Sequence, residues 1–115
     1  MADYIHIEEL LDKEGFVITG HLGNSMYPLI ELEDKLLLLK TNGSIGKYDI
    51  VIYKVKDRYV IHRIIDEKED EYIIRGDNCI NKEYIKKDRI LGYLDKIYRG
   101  KQEIKITKDI NIKYY

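Results

Sequence analysis

Tyr48-Asp49-Ile50-Val51-Ile52-Tyr53-Lys54-Val55, then Lys56-Asp57, then Arg58-Tyr59-Val60-Ile61-His62-Arg63-Ile64-Ile65-Asp66 is the stretch that decides the fold. β-branched and aromatic residues fill both runs and a charged pair parts them, a pattern of short strands rather than of a helix. Toward the C terminus, residues 71–75 and 90–98 repeat the pattern between short charged or glycine-containing breaks. Residues 101–107 alternate Ile104 and Ile106 with Glu103 and Lys105, the period of a half-exposed strand. Toward the N terminus, Gly15 opens Phe16-Val17-Ile18-Thr19, a further β-branched run. Leu36 to Leu39 form a short apolar run that suits a strand or a buried helix, closed by the turn residues Thr41-Asn42-Gly43. Residues 3–13 fit a short amphipathic helix, with Asp3 as N-cap and Gly15 as stop. No linker, repeat or low-complexity tract divides the chain. Residues 1–115 therefore read as one domain, mainly β, with a short N-terminal helix and a partly open or closed β-barrel-like sheet.

Twenty basic side chains stand against twenty-one acidic ones, so net charge provides no steering toward nucleic acid or anionic lipid. The single Cys79 has no internal disulfide partner, which fits a reducing compartment. The longest uncharged stretch, residues 15–30, is interrupted by Thr19, Gly20, His21, Asn24, Ser25 and Pro28. It falls short of the roughly 20 apolar residues of a membrane helix. The first residues lack the basic-then-apolar order of an export signal. The expectation is a soluble, cytoplasmic protein without an integral membrane segment, and without a nucleic-acid partner.

Three short segments can carry chemistry. In Gly23-Asn24-Ser25-Met26-Tyr27-Pro28, Gly23 permits close backbone approach and Pro28 fixes the chain just past the serine. A serine in such a bend can aim its hydroxyl and its own N–H at one point, as an acyl-transfer nucleophile requires. The same pattern also makes an ordinary turn or helix cap. In residues 59–65 the period of two sets Val60, His62 and Ile64 on one face, where desolvation favours a neutral, base-competent imidazole. A core histidine satisfied by a carbonyl is the alternative. In Arg75-Gly76-Asp77-Asn78, Asp77 either caps its own turn or orients a histidine, and Glu83 is the second candidate for that role. Two further pairings are weaker: Cys79 with His62, and His21 as base in place of His62. His6, His21 and His62 have no metal-ligand spacing with one another or with Cys79, so neither metal nor cofactor is expected.

Taken in order, Ser25-Met26-Tyr27-Pro28, Gly46-Lys47-Tyr48-Asp49-Ile50-Val51, His62-Arg63, Gly76-Asp77-Asn78 and Ile90-Leu91-Gly92 resemble the signal-peptidase and LexA-like class of serine peptidases. The resemblance covers about residues 17–98. It implies that fold, a peptide or protein substrate, Ser25 as nucleophile and His62 as general base where many members carry lysine. It also implies Asp77 as the orienting carboxylate, a second family carboxylate at Glu83, and an oxyanion hole built on backbone next to Gly23. Asp77, in a tight turn, is the better-held candidate; Glu83 lies in the charged stretch Asn81-Lys82-Glu83-Tyr84 and reads as the more mobile. Two other readings stand beside the peptidase: a catalytically silent peptide-binding module of the same fold, and a LexA-like self-processing regulator. Regulators of the second kind often cut themselves at an Ala-Gly or Cys-Gly bond, and the chain has neither dipeptide.

Overall fold

The two runs around Lys56-Asp57 form antiparallel partners, β3 (Ile50–Val55) and β4 (Arg58–Glu67), joined by a two-residue turn in which Lys56 takes a left-handed φ of 57°. The structure is a computed structural model that describes residues 7–20 and 23–115. Asp3, His6 and His21 lie outside the described residues.

Ahead of the pair come α1 (Ile7–Glu14), β1 (Phe16–Gly20) and β2 (Lys35–Lys40). After it come β5 (Glu71–Arg75), β6 (Glu83–Lys86), β7 (Ile90–Arg99), β8 (Gln102–Lys105) and α2 (Lys108–Tyr114). The leucine run is thus a strand, with Leu36 and Leu38 buried, between β1 and β7. Elements β6 and α2 were not expected. The first is only four residues long, and the second is capped by Thr107, whose Oγ1 accepts from Ile110 N–H at 3.2 Å.

The domain is mainly β, one antiparallel sheet in the order β1-β2-β7-β3-β4-β5-β6, with β8 added on β7. Among the described residues no ladder joins β1 to β6. Strand β3 is central and buried on both faces. Ile50 and Ile52 enter a core with Leu11, Leu38, Ile61 and Ile97, while Val51 and Tyr53 enter a second with Ile64, Ile74 and Ile85. Each such aliphatic side chain contributes about 1.5–3 kcal/mol through burial. Period-two alternation therefore sends β4 into both cores, with His62 on the second face and Arg63 on the first. No helix among the described residues is long and apolar enough to cross a membrane.

Candidate active site

The serine bend is held from both ends. Gly23 adopts φ 109°, a conformation that side chains rarely take, and Tyr27 N–H donates to Asn24 O at 3.2 Å. Met26, 3% exposed, anchors the bend in the first core. Downstream, Arg99 of β7 donates to Leu29 O at 2.9 Å and grips the buried Asp34 through Nε and Nη2 at 2.8 and 2.7 Å. Ser25 itself is tied across the molecule. Its carbonyl accepts Asn78 N–H at 2.8 Å, Asn78 Nδ2 donates to Asn24 O at 3.2 Å, and Asp77 N–H reaches Met26 Sδ at 3.4 Å. The Gly76-Asp77-Asn78 turn is thereby the outer clamp on the serine. The Tyr27–Pro28 peptide is cis, and Pro28 is exposed.

His62 points into the second core's edge, where burial pushes its imidazole below the ordinary value against the upward pull of Glu83 and Asp77. Its Nδ1 lies 3.0 Å from Glu83 Oε1. An ionised carboxylate only accepts, so Nδ1 carries the proton and Nε2 keeps its lone pair. Tyr53 OH donates to the same Oε1 at 2.7 Å and lies 3.3 Å from Nδ1. Burial first, and Glu83 second, push the Tyr53 phenol up, so it stays a donor.

The sheet explains why His62 and Glu83 meet from strands that are not neighbours. The register Arg63↔Arg75 and Ile64↔Ile74, continued by one residue, sets Gly76 against His62. Ile74 in turn opposes Glu83. A Cβ on Gly76 would stand 3.0 Å from His62 Cδ2, 2.7 Å from Ser25 O and 2.8 Å from Cys79 Sγ. The missing side chain is the space through which the imidazole reaches Glu83.

Asp77 does not fill the role first expected of it. Its carboxylate is engaged by Arg63, through Nε–Oδ1 and Nη2–Oδ2 bonds of 2.8 Å each. Arg63 is fully buried, and a buried guanidinium takes the nearest carboxylate in a two-bond fork. The remaining nitrogen, Nη1, donates to Tyr48 O at 2.8 Å and to Asn111 O and Oδ1 at 3.0 Å, joining the turn to α2. Glu83, expected to be mobile, is instead the first residue of β6 and only partly exposed.

A cleft of about 520 Å³ has Gly23, Asn24 and Ser25 in one wall, with His62 and Glu83 beside them. Its floor continues along Arg58 to Ile61. Strand β5 pairs only with residues 63–67 of β4, so this part of β4 has no strand partner on that side among the described residues. Cys79 flanks the same glycine as His62, yet it does not line the cleft and its thiol has no hydrogen bond to His62. The sequence assigned no role to Tyr53 or Arg99, and none to Arg63 beyond its place in the His62-Arg63 pair. The signals were a tyrosine facing the same side as His62 in the neighbouring strand, and arginines in apolar strands, each of which needs a carboxylate. No protein-family model matches the chain, and none of the curated proteins matches it.

Proposed function

We propose that the chain is a serine endopeptidase of the signal-peptidase and LexA-like class, with Ser25 as nucleophile and His62 as general base. The observation that carries this reading is that Ser25 and His62 share one cleft while Glu83 Oε1 lies 3.0 Å from His62 Nδ1. Ser25 Oγ attacks the scissile carbonyl carbon as its proton passes to His62 Nε2. The resulting imidazolium lies against the Glu83 carboxylate. Ser25 N–H, which has no acceptor among the described residues, is placed to donate to the oxyanion. His62 then protonates the leaving amine, and water repeats the sequence to release the acyl group. The edge of β4 beyond β5, without a strand partner among the described residues, offers N–H and C=O groups to an extended peptide. Asp77 serves the framework rather than the imidazole.

Covalent reaction with a serine-directed phosphonate tests this. Wild type should be labelled at Ser25, and Ser25→Ala should lose both labelling and peptide cleavage with its thermal midpoint nearly unchanged. Ser25→Ala and His62→Ala should be strongly non-additive, because the two groups act as a unit. A double mutant far less active than either single mutant would break the assignment. A wild type that holds peptides and is never labelled would be a silent binding module.

A further inference from the structure

The cleft is lopsided in charge, although the chain as a whole is nearly neutral at −1. Its lining includes Lys56, in the β3–β4 turn, and Arg58, the first residue of β4. Neither side chain has a hydrogen-bond or ion-pair partner among the described residues, and both are exposed. No carboxylate among the described residues forms an ion pair with either. Lys54 is held by Glu8 at 3.4 Å, and Asp57, between the two cations, does not line the cleft. The one acidic group in the wall, Glu83, already accepts from Tyr53 and His62.

We propose that Lys56 and Arg58 form a selectivity subsite for an acidic side chain of the peptide substrate, an inference that rests on the peptidase reading above. Arg58 stands four residues from His62 along β4, about 13 Å at strand rise. A peptide extended along the open β4 edge keeps the same rise, so its acidic residue lies roughly four residues from the bond cut. The cations are exposed, so each contact is worth little alone, and the pair should give about a three- to tenfold preference. Because the charges face water, the preference should weaken as salt rises.

Two readouts separate this inference from the peptidase reading. Peptides carrying Asp, Asn or Lys at each position up to five residues from a cleaved bond are compared by kcat/KM with wild type. The same peptides are compared by fluorescence anisotropy with Ser25→Ala, where no turnover occurs. The expected result is an Asp-over-Lys preference of about three- to tenfold at a position near the fourth, reversed in Lys56→Glu/Arg58→Glu. The surface variant Lys101→Glu, which reverses an exposed charge in the β7–β8 turn outside the cleft lining, should leave the preference intact. Binding preference without cleavage sinks the peptidase and keeps the subsite. Cleavage without preference, or a preference untouched by Lys56→Glu/Arg58→Glu, overturns the subsite. Neither binding nor cleavage overturns both.

Discussion

Glu83 Oε1 and His62 Nδ1 lie 3.0 Å apart, from strands separated by β5. The glutamate is therefore the carboxylate whose loss should be felt in turnover. Replacing it with an amide lets an N–H face Nδ1, which favours the wrong imidazole tautomer. In the chymotrypsin-type triad this costs about 10⁴ in kcat. Glu83→Gln should lower kcat by about 10²–10⁴ with little change in melting temperature. Asp77→Asn should instead cost about 3–5 kcal/mol of stability, since it strips the fully buried Arg63 of its counter-charge. Steady-state kinetics alongside thermal melts decide between them, and a folded, fully active Glu83→Gln would remove it from the mechanism.

The pH dependence follows from the His62 imidazole. Burial is the main influence and lowers its pKa from 6.5, so the acid limb of kcat/KM should fall below that value. Glu83 pulls the pKa upward, so Glu83→Gln should move the titration to still lower pH. The stability sign is the same. Below 6.5 the unfolded chain binds the extra proton more readily than the folded one. Stability from this group is full above 6.5 and is lost as pH falls through the folded pKa. NMR titration of the His62 ring reads the shift directly, and an upward move in Glu83→Gln would contradict it.

Gly76→Ala probes the gap through which His62 passes. Its added carbon would meet Ser25 O at 2.7 Å, a backbone atom that cannot rotate away. The loss should be about 1–3 kcal/mol of stability, together with phosphonate labelling of the folded fraction. Gly92→Ala is the comparator. It meets Leu39 O at 2.5 Å on the β2 side of β7, touching neither Ser25 nor His62, and should lose stability while its folded fraction still labels. Equal labelling of both variants would show that Gly76 has no special place in the site.

Arg63→Lys keeps the charge and loses the fork. A single ammonium cannot reproduce bonds to both Asp77 oxygens, Tyr48 O and Asn111. A loss of about 2–3 kcal/mol is expected in chemical denaturation. Faster amide exchange in α2 should accompany it, because Asn111 is the buried residue of that helix. A variant as stable as wild type would show the fork to be incidental.

How much was legible follows the physics of each signal. The strands around Lys56-Asp57 announced themselves because alternation is local, and so did the separation of His62 and Arg63 to opposite faces. The pairing of carboxylates was not local. Asp77 and Glu83 sit fourteen and twenty-one residues from the side chains they bind, and which partner each takes depends on strand register and on the empty space at Gly76. A tight turn argued for Asp77 as the better-held group. The turn is indeed rigid, but the cation that holds it is Arg63, whose burial no periodicity could reveal as a demand for that particular carboxylate. Strand β6, four residues of mixed charge, is formed by pairing with β5 rather than by its own propensity.

The Arg63 fork also sets an order of events. Its nitrogens reach Asp77 fourteen residues ahead and Asn111 forty-eight ahead, while the turn bearing Asp77 clamps Ser25 from the other side. Closing contacts this distant in sequence belongs late in folding, after the nearer hairpin has formed. A chain formed only as far as β5 thus holds Ser25 without the turn that clamps it. The last link runs through α2: Asn111 accepts from the arginine that holds the clamp, so a helix that touches neither Ser25 nor His62 still braces the turn behind them.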